Sequence, residues 1–322
     1  MPTKTNVLIY YLGVDLGGSK TLALVASAAG EPQGQATLPT PADQGPDAVV
    51  AVMAEAARQA MEEAGVTAAG LRGAGIAAAG AIDAARGLVV HAPQFPGWAD
   101  VPLVGLFRAS TGLPAVIGND ANLAALSEQR FGAGKGIPNL LYVTVSTGIG
   151  GGIVIGNHLY TGAQGYAGEV GHITVDAHGP YGRSKTPGAV ESLASGTALG
   201  RIATERIDAG ERSGIRRGPG GITAQDVFAA YREGDAVAAS VVAEGIHSLG
   251  LGLTSMVNVL DPGMIVIGGG LSNEWDAYIA PAVEIMREQA FAGMGKDIPV
   301  VPPKLGTETG ALGAVALAAD TY

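Results

Sequence analysis

The stretch LLYVTVSTGIGGGIVI, residues 140–155, is an apolar run, a turn rich in glycine, and a second apolar run. It reads as strand, glycine turn, strand. The same arrangement stands near the start of the chain. Val7 to Val14 is an apolar strand, Gly17-Gly18 turn it, and Thr21 to Ala26 form its hairpin partner. Strands and helices alternate after each hairpin. Between Gly45 and about Gly65, Val49, Val50, Met53, Ala56, Ala57 and Ala60 recur at helical spacing. A strand from Gly73 to Ala79, a helix from Val101 to Ser110, a short strand from Ala115 to Ile117 and a helix from Ala121 to about Phe131 follow. After the second hairpin come a polar, Gly- and Pro-containing loop from Ala177 to Ala189 and helices at Ser192–Glu205, Ala224–Arg232 and Asp235–Val259. The strand MIVIGGG and helices Ile279–Gln289 and Thr309–Ala319 complete the chain. The alternation predicts an α/β protein. Two similar units, each opening on a glycine hairpin, would set two phosphate-binding turns across a cleft.

The 322 residues correspond to about two domains at ~150 residues each. An apolar fraction of 47% with 15% charged residues is that of a globular chain. Glycine reaches 51 residues, mostly in short clusters, which marks sharp turns or close approach to a ligand. The net charge is −10 and no basic stripe occurs, which argues against a nucleic-acid partner. The absence of cysteine excludes disulfides, thiol catalysis and every Cys-based zinc site. The apolar N-terminal run is cut by Asp15 and Lys20, unlike a secretory leader. No uninterrupted run of ~18 apolar residues exists, so no membrane span is predicted. A cytoplasmic location is expected.

In the first turn, Asp15 to Lys20, glycine lets backbone N–H groups face phosphate oxygens. Asp15 could hold a hydrated Mg²⁺ and Ser19 could donate to phosphate. An ordinary hairpin would look the same. The second turn, Ser146 to Gly152, lacks Gly-Lys-Ser/Thr and joins two strands, so it is neither a P-loop nor a Rossmann fingerprint. Asn119-Asp120 stand between a strand and a helix. One of them caps the helix, and the helix dipole predicts that Asp120 is ionised at neutral pH, able to accept a proton from a hydroxyl. Glu169 and His172 lie among glycines, with Glu191 further on. Three readings stay open for them: hydrogen bonds to sugar hydroxyls, a zinc site that also uses His178, or a buried histidine with ordinary partners.

VDLGGSK, VIGNDANLAAL, VSTGIGGGIVIGNHLYTGAQGYAGEVGHITVD, VESLASGTAL and DPGMIVIGGGLS, in this order and over nearly the whole chain, resemble the ROK family of bacterial sugar kinases and related repressors. The resemblance implies a two-domain actin-like ATPase (ribonuclease H-like) fold with an interdomain cleft. Residues 1–118 plus 305–322 would form the small domain and 119–304 the larger. It implies Asp120 as catalytic base and Gly80, Asn119, Asp120, Glu169, His172 and Glu191 as sugar contacts, with Asp83 near the same loop. Asp15, Gly17, Gly18, Ser19, Lys20, Thr147 and Gly148 match the phosphate turns, and Gly268, Gly269 and Gly270 the segment near the adenosine. Mg²⁺ would arrive with ATP. Homodimers or higher oligomers are common in such kinases. The chain departs from the family pattern at Gln94, where asparagine is usual, and by having too few residues before the first strand for a helix-turn-helix.

The family's usual zinc is bound by the histidine of a Gly-His pair and three cysteines. The matching positions after His172 hold Gly182, Ser184 and Ala189, yet the substrate glutamate keeps its place as Glu191. A zinc-free loop that holds Glu191 by hydrogen bonds and by the stiffness of Pro180 and Pro187 is expected, with His172 using one ring nitrogen toward the sugar and one toward a loop partner. ATP:hexose phosphotransfer leads, with glucose as first acceptor. Fructose, mannose, allose, N-acetylated mannose or glucosamine, and polyphosphate as donor stay open. The rival functions are a sugar sensor without turnover, which would not need Asp120, and a metal-dependent hydrolase, which would not need paired phosphate turns.

Overall fold

The computed structural model describes residues 9–182 and 185–322. In chain order the strands and helices are β1 (Tyr10–Leu16), β2 (Lys20–Ser27), β3 (Pro32–Pro39), α1 (Pro46–Ala64), β4 (Leu71–Ala78), β5 (Ala81–Asp83), β6 (Leu88–His91), β7 (Ala99–Val101), α2 (Leu103–Thr111), β8 (Ala115–Asn119) and α3 (Asp120–Arg130). Next come β9 (Leu140–Val145), β10 (Ile149–Ile155), β11 (His158–Leu159), α4 (Val190–Ala194), α5 (Gly196–Asp208), α6 (Ala224–Arg232), α7 (Ala236–Leu260), β12 (Met264–Gly268), α8 (Ala280–Gln289), β13 (Val300–Val301) and α9 (Thr309–Thr321).

Two five-stranded sheets share one plan. The first runs β3-β2-β1-β4-β8 and the second β11-β10-β9-β12-β13. In the first, β1–β2 and β2–β3 pair antiparallel while β1–β4 and β4–β8 pair parallel. In the second, β9–β12 and β12–β13 are parallel. The repeat read from the two glycine hairpins is therefore a repeat of whole sheets.

One compact unit runs through Pro138, adds Gly152–Gly168 and ends with Pro303–Tyr322. The other comprises Asn139–Gly151 and Glu169–Pro302. Residues 119–138, placed with the larger domain on sequence, group here with the first unit. The cause is α3, which lies against α9, a helix that also covers β1 and β4.

In the first unit, α1 buries Val49, Val50, Met53, Ala56, Ala57 and Ala60, the six residues its periodicity marks. They join Leu12, Val14 and Ile76 in the main core. On the opposite face of the sheet, α9 approaches with small residues. A Cβ on Gly75 would stand 1.9 Å from the Ala314 carbonyl oxygen, and one on Gly13 would stand 2.0 Å from that of Ala311. Glycine is required at both positions because helix backbone touches strand backbone.

Three features differ from the sequence expectation. β1 extends to Leu16 rather than ending at Val14, and Val7 and Leu8 lie outside the described residues. The helix expected over Ser192–Glu205 is two helices, α4 and α5. Ser195 is extended between them (φ −76°, ψ 163°) and caps α5 by accepting the Ala198 N–H at 3.2 Å. α7 is long and apolar enough to cross a membrane by length and composition, although charged and polar residues interrupt its sequence. Half of its most apolar window is buried, and it packs on α4, α6 and α8, the place of a core helix.

Gly75→Ala should lose ~1–3 kcal/mol or more of stability through overpacking against α9. Gly105→Ala, exposed on α2 with no atom within 4 Å of the added carbon, should instead gain ~0.5–1 kcal/mol. Urea denaturation of both variants checks the contrast.

Candidate active site

In the first unit the site follows from sheet order. β1, β4 and β8 are parallel neighbours, with Asp15 opposite Ala77 and Ala78 opposite Asn119. Their C-terminal ends therefore bring Asp15, Gly80 and Asn119-Asp120 to one edge of the sheet. The turn after β1 is closed by the Gly17 N–H donating to the Lys20 carbonyl at 3.0 Å. Gln94 lies against this turn, its Cβ 3.1 Å from where a Gly18 side chain would begin, and its Nε2 donates to the Ala79 carbonyl at 3.2 Å. Asn119 is the N-cap of α3. Its Oδ1 accepts from Ala121 N–H (3.0 Å) and Asn122 N–H (3.2 Å), while Nδ2 donates to the Gly80 carbonyl at 3.1 Å. Asp120 begins the helix, and its Oδ1 accepts the Ala121 N–H at 2.9 Å.

In the second unit, the Ser146 N–H donates to the Gly148 carbonyl (2.8 Å), closing the other turn. The start of α5 braces it: Gly196 N–H donates to Ser146 (2.7 Å) and Thr197 N–H to Thr147 (3.3 Å). The Glu191 carboxylate accepts the Ile149 N–H at 2.9 Å. Gly148 leaves room for it, since a Cβ there would stand 2.5 Å from Glu191 Oε2. Glu169 precedes and His172 ends the short 3₁₀ turn Val170–His172, with His172 Nε2 3.6 Å from a Glu169 carboxylate oxygen. Gly268–Gly270 leave β12 beside the end of β9. Each unit thus assembles its own share of the expected residues. Asp15, Gly17–Lys20, Gly80, Asn119 and Asp120 belong to the first. Thr147, Gly148, Glu169, His172, Glu191 and Gly268–Gly270 belong to the second.

The sequence pattern of the ROK family matches residues 11–321. This chain belongs to the ROK family. It is 36% identical to a glucokinase of Halalkalibacterium halodurans over 94% of this chain and 93% of that one. Among solved structures, a ROK hexokinase from Thermus thermophilus matches with a TM-score of 0.83 at 34% identity, covering 96% of this chain and 97% of the other. A ROK family glucokinase from Streptomyces griseus, solved with glucose and AMPPNP, matches at 0.76 with 33% identity over 97% and 99%. The paired sheets are those of the actin-like ATPase fold.

The zinc that typical family members bind does not fit these residues. Gly182 and Ala189 carry no ligand atom, Ser184 lies outside the described residues, and the chain has no cysteine. Among the described residues, no three His, Asp or Glu side chains come together, so the rival zinc set with His178 is not assembled. Backbone pairing shapes the loop instead. Thr174 bridges to Ala189 and Tyr181 to Pro187. Gly188 N–H donates to Pro180 at 2.9 Å, Val175 N–H to Gly188 at 2.9 Å, and Val190 N–H to Ile173 at 2.9 Å. Ser192 Oγ donates to Ala189 at 2.7 Å. These contacts lead directly into the start of α4, which carries Glu191. The loop partner expected for His172 is not found: its buried Nδ1 has no hydrogen-bond partner among the described residues.

Sequence reasoning missed the brace from Ser195 to Thr197. A Ser-Gly-Thr run inside a helical pattern is the signal that could have found it. It also missed Asn122, a polar residue on an otherwise apolar stretch of α3.

The electrostatics of the first unit add burial to the helix dipole in setting the proton affinity of Asp120. Asp120 does receive a helix N–H, which favours its ionised form. Enclosure by protein atoms outweighs that and raises its pKa above the ordinary 3.8, although water still reaches the side chain. The helix dipole alone does not set its protonation. Asp15 is pushed up to about 6, first by burial and then by the negative charge of Asp120, with Lys20 opposing. A carboxylate with a raised folded pKa holds its proton more tightly folded than unfolded. Stability therefore falls as pH rises from about 4 through about 6, and the cost is fully present at pH 7. Asp15→Asn should raise stability at pH 8 by about 1–3 kcal/mol, with the gain vanishing below pH 4. Thermal unfolding of both proteins at pH 4 and 8 measures the difference.

Proposed function

We propose that this chain transfers the γ-phosphoryl group of ATP to a hexose hydroxyl, with glucose as the first acceptor and glucose 6-phosphate as product. The observation that carries the reading is Asp120: a water-reached carboxylate of raised proton affinity, fixed at the start of α3 by the Asn119 cap. A base must hold the proton it takes, and its raised pKa favours that step. Asp120 accepts the acceptor hydroxyl's proton as its oxygen bonds to the γ-phosphorus and ADP leaves. Gly80, Asn119, Glu169, His172 and Glu191 orient the sugar by hydrogen bonds. The turns at Gly17–Lys20 and Thr147–Gly148 hold phosphates, and Gly268–Gly270 lie toward the adenosine. Asp15 would hold, through water, the Mg²⁺ that arrives with ATP, and that ion would neutralise phosphate charge. The glucose and AMPPNP in the Streptomyces griseus relative support the choice of acceptor and donor. The cytoplasm, as the ATP-containing reducing compartment, and a homodimer or higher oligomer complete the proposal.

ADP release with Mg-ATP across glucose, fructose, mannose, allose and the N-acetylated hexosamines tests it. Glucose should give the highest kcat/KM, and absence of turnover with every sugar would sink the kinase reading. Asp120→Asn should lower kcat by roughly 10²–10⁴ with a smaller change in sugar affinity. Retention of more than about a tenth of kcat would remove Asp120 as the base.

Activity should also be independent of zinc, because backbone hydrogen bonds hold the 174–189 loop. Elemental analysis of active protein should find zinc far below one atom per chain. Chelation with Mg²⁺ resupplied should leave rate and Tm in place. Stoichiometric zinc, or activity restored only by zinc, would defeat this part.

A further inference from the structure

Within the first unit lies a cavity of 590 Å³, and of the residues given roles in the proposed reaction only Asn119 lines it. Its size is in the range of small-molecule sites, ~300–1,000 Å³. Asn119 stands at one side of it and Asn122 at another. Ile117, Leu159 and Leu317 supply apolar surface, while Asp83, Thr161 and Gln164 supply polar groups. No Lys, Arg or His lines it, so a phosphate or other anion would find no counter-charge there. Asp83 already accepts the Arg86 N–H at 3.0 Å. The remaining chemistry is that of a neutral ligand with hydroxyl or amide groups and apolar faces.

Two observations make this a formed site rather than a gap. Asn122 is only 5% exposed, and its Oδ1 has no hydrogen-bond partner. A buried amide oxygen is normally paired, by protein or by something bound. The outer wall is also constructed. Thr161–Ala167 is closed by the Ala167 N–H donating to Thr161 at 3.0 Å, with Gly162 and Gly165 in left-handed conformations (φ 73° and 86°). Tyr166, 43% exposed, lines the cavity from this wall. Aromatic faces beside amide and hydroxyl groups suit the alternating apolar and polar faces of a sugar ring.

We propose that this cavity is a second carbohydrate subsite, taking a neutral polyhydroxylated group beside the acceptor sugar. The proposal rests on the assignment of Asn119 to the acceptor. The group has two possible sources: a second glycosyl unit joined to the acceptor, or a separate free sugar. Calorimetric titrations in the presence of a non-hydrolysable ATP analogue distinguish them, with glucose, maltose and cellobiose as probes and Asn122→Leu and Gln164→Trp as variants. The first removes the unpaired amide. The second fills the cavity from its exposed wall, so a folding defect in one variant does not silence the test.

If the group is a free sugar, the wild type binds two glucose molecules per chain and each folded variant binds one. If it belongs to the acceptor, the wild type binds one glucose, and a disaccharide binds it at least tenfold more tightly than it binds the variants. The inference is overturned if wild type and variants share one glucose per chain and the same disaccharide affinity. Binding is read without turnover, so this outcome is separate from failure of the kinase reading, which ADP release in the same preparation reports.

Discussion

The side-chain amide of Asn119 sets the geometry on which the first unit's site depends. One end satisfies two N–H groups at the start of α3, and the other holds the Gly80 carbonyl. The end of β8, the turn after β4 and a helix start are thereby tied through a single planar group. Asp120 inherits its place from this tie, because the residue after an N-cap has its backbone fixed by the first helical turn. Replacing Asn119 with an apolar residue would leave the Asn122 N–H and the Gly80 carbonyl without this partner, while the Ala121 N–H would keep Asp120, so that both the start of α3 and the turn after β4 would loosen.

Much of this was legible from residue types alone. The α1 core stripe was read residue by residue, since a 3.6-residue period against one sheet leaves few alternatives. The paired hairpins foretold two sheets of like order. β3 escaped because its sequence PQGQATLP is polar and bounded by proline. It is a strand only because β2 offers it an edge. The small sheet β5-β6-β7 escaped because its strands are three or four residues long, too short for any period to show. In the site, motif matching named the residues, but the raised proton affinities of Asp15 and Asp120 come from enclosure, which no spacing along the chain encodes.

The 174–189 loop shows a second limit of composition. Without cysteine, the chain must hold Glu191 by other means, and the sequence points to hydrogen bonds and proline stiffness without saying which groups make the bonds. The structure adds a backbone ladder and a Ser192 hydroxyl bound to Ala189. A metal centre concentrates constraint in one ion. Here the constraint is spread over several weak bonds, each worth ~0.5–1.5 kcal/mol, so no single substitution need collapse the loop. Glu191 in turn binds the backbone of the second turn through Ile149, which links α4, with its proposed sugar contact, to the turn proposed to hold phosphate.

The packing of α9 also bears on how the protein is made. Its residues complete the core against β1, β4 and α3, yet they are synthesised after all of these partners. Nascent chains commonly fold from the N-terminus onward, domain by domain. In this protein the unit that begins first cannot close first. β1 and β4 emerge with one face bare, and the glycines that await α9 offer no side chains to cover it. The internal unit, whose last strand and helices are complete by Pro302, has all of its own partners earlier. The order of synthesis therefore runs opposite to the order in which the two units can be completed, with one face of the first sheet uncovered until α9 follows.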